Sequence, residues 1–232
     1  MSTEWTPQGL TLDLDDTLWP IWPTIARAER ALLAWLRDNA PATVAAHDAQ
    51  AMRALRDGLL KARPELATDL STLRREAIRQ ALRASGDDPA LAEPAFEVFF
   101  AERQRVELYE DALPALQRLA ARWRIVGITN GNSDLQRVGL NAYFVACFSA
   151  RTFGVGKPAA PIFHAACAHL GLPPAQVLHV GDDPLLDVDG ALDAGLRAAW
   201  VQRPGQVAQG APLGVPHHHV CDLMALADRL GA

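Results

Sequence analysis

Strand-like apolar runs stand on either side of a long stretch that has almost none, and this interruption narrows the folds open to the chain. Leu10–Leu14 reads as a short buried strand, whereas from about Thr24 to Tyr109 the sequence turns to Ala, Leu, Arg and Glu at helical spacing. Beyond Asp111 strand, loop and helix alternate. The pattern predicts strands over 125–129, 146–149, 177–181 and 198–202, and helices over 114–123, 133–140, 161–170 and 187–194, the last two closed by Gly171 and Gly195. Repeated βα units imply a parallel sheet covered on both faces, with ligands gathered at the carboxyl ends of its strands. The first strand must join that sheet from across the helical stretch, so the expected organisation is core (1–18), helical cap (19–110) and core again (111–232). In the cap, Ile25, Ala28, Leu32, Leu33, Trp35 and Leu36 mark an amphipathic helix opened by Pro23-Thr24 and ended before Pro41. Helices over 43–61, 66–84 and 90–109, broken at Pro64 and at Gly86-Asp87-Asp88-Pro89, complete a four-helix bundle.

At 232 residues and 50% hydrophobic content the chain can bury a substantial core. Its 22 Lys plus Arg against 27 Asp plus Glu leave a net charge of -5, which gives no electrostatic reason to bind nucleic acid. Met1–Gln8 lacks the basic start and apolar run of a leader, and no uncharged stretch is long enough to span a bilayer, so a cytoplasmic protein without a membrane partner is expected. Cys147, Cys167 and Cys221 are too far apart for a zinc or redox motif and read as buried, reduced thiols. His217-His218-His219 lies in a Pro/Gly-rich segment and reads as solvated loop histidines, since consecutive side chains splay apart.

Chemistry concentrates at the ends of the predicted strands. Asp13-Leu14-Asp15-Asp16-Thr17 follows the first, and strand alternation would turn Asp13, Asp15 and Thr17 to one side. Two carboxylates converging on one spot repel, unless a cation joins them or one keeps its proton. Thr129-Asn130-Gly131-Asn132-Ser133 follows the second strand of the core and can grip an anion, or can be an ordinary turn with Ser133 as helix cap. Lys157 in Gly154-Val155-Gly156-Lys157-Pro158 fails as a nucleotide-binding loop, because Arg151 and Pro158 stand where Gly and Ser or Thr are required. Taken singly it is a surface charge. Gly181-Asp182-Asp183-Pro184 with Asp187 forms a second acidic cluster, fit for Mg²⁺ or, in part, for capping a helix.

In order, Asp13-x-Asp15-x-Thr17, Thr129-Asn130, Lys157-Pro158 and Gly181-Asp182-Asp183 with Asp187 resemble the haloacid dehalogenase-like hydrolases along the whole chain. The resemblance implies a Rossmann-like core with a C1-type cap. It also implies a Mg²⁺-dependent phosphomonoester hydrolase: Asp13 as nucleophile, forming an aspartyl-phosphate, and Asp15 as general acid and base. Mg²⁺ would be held by Asp13, Asp182 and the carbonyl of Asp15, and the phosphoryl oxygens by Thr129, Asn130 and Lys157. Asp187 would orient Lys157, and Asp183 would make a water-mediated contact. Similarity around 12–18, 128–132 and 179–183 points further to the family's flavin-pathway phosphatases, with FMN or 5-amino-6-(5-phospho-D-ribitylamino)uracil as substrate. Trp19 and Trp22 could then stack on a flat ring and Arg74 contact its polar groups; the alternatives are packing and a solvated charge. A phosphoglycolate or sugar-phosphate phosphatase, a phosphomutase and a haloacid dehalogenase are other outcomes on this fold. The expected partner is a small phosphorylated metabolite, and the chain a monomer or homodimer.

Overall fold

The computed structural model describes residues 5–205 and 210–232, so the reading of Met1–Gln8 falls partly outside the described residues. The chain divides into two compact units, Met1–Pro20 with Glu107–Ala232 and the inserted Ile21–Val106. Trp19, Pro20 and residues 107–110 thus fall in the first unit, against junctions expected at 18/19 and 110/111.

The inserted unit is helical: α1 (Ile21–Asn39), α2 (Pro41–Ala46), α3 (Ala49–Ala62), α4 (Leu70–Ser85) and α5 (Ala92–Arg103). The single helix expected over 43–61 is split, because the Asp48 side chain accepts from Ala51 N–H at 2.8 Å and starts a new helix. Asp69 does the same for α4, accepting from Thr72 N–H at 2.9 Å, and Gly86 closes it at φ 79°, in the left-handed region. The last helix stops at Arg103, short of the expected Tyr109. Leu32 and Leu36 of α1, Ile78 and Leu82 of α4, and Phe96 and Phe99 of α5 form the core of the bundle. No α3 residue is buried.

The first unit holds a six-stranded sheet in the order β3-β2-β1-β4-β5-β6, every neighbouring pair parallel. Its strands are β1 (Gly9–Leu12), β2 (Ile125–Thr129), β3 (Ala146–Ser149), β4 (Val177–Gly181), β5 (Arg197–Val201) and β6 (His218–Val220). Around it lie α6 (Ala112–Arg122), α7 (Leu135–Val138), α8 (Ala150–Phe153), α9 (Ala160–Leu170), α10 (Gly190–Asp193) and α11 (Leu223–Arg229), with a π-helical turn over Pro184–Asp189. Val126, Ile128, Phe163, Val177 and Val188 lie at the heart of its core.

Two expectations need correction here. The histidine run is loop only at His217, an exposed bend: His218 and His219 belong to the edge strand β6, where backbone pairing to β5 and stacking of the His219 ring on Trp200, centroids 4.4 Å apart, outweigh the Pro/Gly-rich surroundings. Of the cysteines only Cys167 is buried; Cys147 and Cys221 are exposed. Among the described residues no helix is long and apolar enough to cross a membrane.

Candidate active site

The two middle strands of the sheet, β1 and β4, end side by side and bring the two acidic clusters together. β1 stops at Leu12, two residues earlier than expected, and Asp13 N–H donates to Val180 O of β4 at 2.9 Å. The chain then turns sharply: Leu18 N–H reaches Leu14 O and Asp16 N–H reaches Trp19 O, both at 2.8 Å, with Asp16 at φ 59°. Asp15 and Thr17 are therefore placed by a turn and not by strand alternation.

Carboxylate oxygens of Asp13, Asp182 and Asp187 lie within 4.8 Å of one another. Lys157, far from a surface charge, is buried among them; its ammonium donates to Asp13 Oδ1 and, at 2.5 Å, to Asp187 Oδ1. Asp187 is fully engaged, Oδ1 also meeting His179 Nε2 at 3.0 Å and Oδ2 accepting from Asp183 N–H at 3.0 Å. Gly181 permits this approach, since a Cβ there would fall 2.3 Å from Asp187 Cγ. Asp182 accepts from the Thr17 hydroxyl at 2.9 Å, and Trp200 Nε1 holds its carbonyl at 2.8 Å.

Burial, only partly offset by Lys157, raises the Asp13 carboxyl to about 8. Asp182 is raised to about 9, by burial and then by the charges of Asp13 and Asp187. Burial also acts on Asp187, but Lys157 and His179 outweigh it and hold that carboxyl below its ordinary range. For Lys157 the two carboxylates outweigh desolvation and push the ammonium up. Three clustered carboxylates thus share one ammonium that pairs with only two of them, and Asp13 and Asp182, both raised, are hard oxygen donors. That donor set fits a divalent cation of the Mg²⁺ type.

Three expected roles change. Asp183 spends Oδ1 on Leu185 and Leu186 N–H, at 2.9 and 2.8 Å, and so caps the π-helical turn. Asn130 clamps the lysine backbone: its Nδ2 donates to Lys157 O and its Oδ1 accepts from Lys157 N–H, both at 2.8 Å. A Cβ on Gly156 would strike that amide at 2.4 Å. What this amide grips is the lysine main chain. Thr129 Oγ1 accepts from Gly131 N–H at 2.9 Å and keeps its hydroxyl proton to donate. The helix cap is Asp134, while Ser133 Oγ donates to Asp15 Oδ1 at 3.4 Å.

Trp19 is fully buried and offers no face for stacking; its indole N–H donates to Asp15 Oδ1 at 2.8 Å. Trp22, in the inserted unit, is 73% exposed. Arg74 is neither solvated nor open to a ligand ring, because its guanidinium pairs with Glu29 at 3.6 Å and covers the Phe99 ring at 3.7 Å from the centroid. Sequence reasoning passed over His179, whose signal is a polar ring inside an apolar strand, and over Trp200, which carries none.

A family model described as haloacid dehalogenase-like hydrolase matches residues 7–195. The chain is 34% identical over 198 residues to the 5-amino-6-(5-phospho-D-ribitylamino)uracil phosphatase YigB of Escherichia coli (strain K12), covering 84% of this chain and 83% of that protein. To the phosphoserine phosphatase of Thermus thermophilus it is 37% identical over 144 residues, 60% of this chain and 58% of the relative. Among solved structures, a 2-haloacid dehalogenase from Pseudomonas syringae pv. Tomato DC3000 superposes with a TM-score of 0.89 at 34% identity, covering 97% of this chain and 99% of the other.

Proposed function

The chain belongs to the haloacid dehalogenase-like hydrolases, and within that family we propose that it hydrolyses phosphomonoesters through an aspartyl-phosphate at Asp13. The observation that carries this reading is the ion-paired Asp13 at the end of β1, with a second carboxyl, Asp15, held two residues on by Trp19. The Asp13 carboxylate, oriented by Lys157, attacks phosphorus, and the bond to the leaving oxygen breaks as Asp15 supplies its proton. Asp15, now a carboxylate, takes a proton from the water that attacks the aspartyl-phosphate, releasing phosphate and restoring Asp13. The Thr129 hydroxyl, the Asn130 main chain and the Lys157 ammonium would hold the phosphoryl oxygens. Asp13, Asp182 and the Asp15 carbonyl would hold Mg²⁺, which neutralises the charge gathered between nucleophile and phosphate.

For substrate we propose FMN or 5-amino-6-(5-phospho-D-ribitylamino)uracil, supported by the likeness to YigB. A second reading, haloacid dehalogenation, is favoured by the structural relative. That reaction has no leaving alcohol to protonate, so it leaves Asp15, held by Trp19 and Ser133, without a task. A panel of FMN, the ribitylaminouracil phosphate, phosphoserine, phosphoglycolate, a sugar phosphate and 2-chloropropionate, assayed with Mg²⁺, decides between them. The expected result is phosphate release with the flavin-type substrates leading in kcat/KM. Chloride release without phosphatase activity would overturn the assignment; a tenfold lead for phosphoglycolate or the sugar phosphate would overturn only the substrate.

A further inference from the structure

Behind the ion-paired lysine runs a line of buried polar groups that never meets the reacting atoms. His179 lies on β4, whose five residues are all buried, and a polar ring there is costly unless both nitrogens are bonded. Both are. Nδ1 is 2.9 Å from Thr11 Oγ1 on the adjacent strand β1, its direct register partner, and Nε2 is 3.0 Å from Asp187 Oδ1. Phe163 meets the ring edge-on, centroids 5.0 Å apart. Asp187 faces the Lys157 ammonium, so it is a carboxylate and can only accept. A hydrogen therefore sits on Nε2, and because burial favours the neutral ring Nδ1 is then bare and the Thr11 hydroxyl donates to it.

We propose that Thr11 and His179 are positioning residues for the reaction of Asp13: they fix Asp187, which fixes the Lys157 ammonium, which in turn fixes the nucleophile. This rests on the phosphatase reading of the same site. An ammonium on a flexible four-carbon stem is located only as well as its carboxylate partners are. Asp187 stands on a π-helical turn, whereas Thr11 and His179 stand on the two middle strands of the sheet. The relay thus transfers the rigidity of the sheet to a side chain on a turn.

The test compares His179→Leu, which removes the donor, with His179→Gln, which restores an amide N–H near the Nε2 position, and with Thr11→Val. On the phosphomonoester that the unaltered enzyme hydrolyses best, kcat of His179→Leu should fall about ten- to a hundredfold while KM changes less than about threefold. His179→Gln should recover most of the loss, and Thr11→Val should lose about three- to tenfold. In an Asp187→Asn background, His179→Leu should cost less than about threefold more, since both act on one network. A folded His179→Leu enzyme within threefold of the unaltered one, or a fully additive loss, overturns the proposal. Should that variant not fold, Thr11→Val, which keeps a β-branched strand residue, decides by the same readings. Nitrogen NMR of the ring needs no substrate and should report the neutral Nε2–H tautomer; an Nδ1–H ring overturns the relay. A protein that releases phosphate from no phosphomonoester overturns the phosphatase reading instead, while the tautomer still decides the relay.

Discussion

A single hydrogen on a tryptophan defines how Asp15 can act. The indole N–H of Trp19 donates to Asp15 Oδ1 at 2.8 Å, which aims the carboxyl proposed to exchange protons with the leaving group and water. Trp19→Phe keeps most of the buried bulk and loses the donor, so kcat should fall about tenfold on alkyl phosphates. The loss should shrink on p-nitrophenyl phosphate, whose leaving group needs no proton, and comparing the two substrates checks the assignment. For the nucleophile, Asp13→Asn preserves shape and removes the attacking charge; turnover should drop by about three orders of magnitude or more, in a protein that still folds. Near-normal phosphate release by the folded variant would show that Asp13 does not attack.

At the scale of elements, Arg203, just past β5, ties the turn after β1 to the approach to α6. Its Nε and Nη2 donate to Thr17 O at 3.2 and 2.6 Å, its Nη1 to Asp111 Oδ1 at 2.7 Å, and its guanidinium lies 3.8 Å from the Tyr109 centroid. Asp111 Oδ2 also accepts from Leu223 N–H at 2.8 Å, at the start of α11. Arg203→Met takes the cation from a half-buried carboxylate and should cost about 1–2 kcal/mol in a denaturant melt. For Asp111, burial acts upward, but the bonds from Arg203 and the Leu223 N–H outweigh it and lower the carboxyl. Folding therefore gains from this group above the ordinary value of about 4, and the gain is lost as pH falls through the lower folded value. Thermal melts taken downward from pH 5 should show Asp111→Asn losing less stability than the unaltered protein; parallel curves would refute the contribution.

For the molecule as a whole, the metal reading makes the plainest demand. Chelation with EDTA should abolish phosphatase activity, Mg²⁺ should restore it, and Ca²⁺ should do so poorly, because its larger and looser shell misplaces the phosphate. Mg²⁺ should also raise the melting temperature of the unaltered protein by mass action and leave that of Asp182→Ala nearly unchanged, a readout independent of turnover. Full activity in chelator would sink the mechanism.

The order of apolar runs and the acid clusters that follow them determined the parallel sheet, the inserted helices and the meeting of Asp13 with Asp182, because burial and strand pairing act on local patterns that a linear sequence carries. β6 was illegible for the opposite reason: His218-His219-Val220 is a strand only because β5 lies beside it. Tertiary structure decided most of the donors these acids receive, although the family resemblance already directed Asp187 to Lys157. Asp183 and Asp187 stand in one acidic run, yet one caps a turn while the other binds Lys157 and His179. The Asn130 side-chain amide took the lysine main chain, and Trp19 took Asp15 in place of a ring. A hydrogen bond reaches about 3 Å, and nothing in a sequence ranks which of several polar groups will stand within that distance.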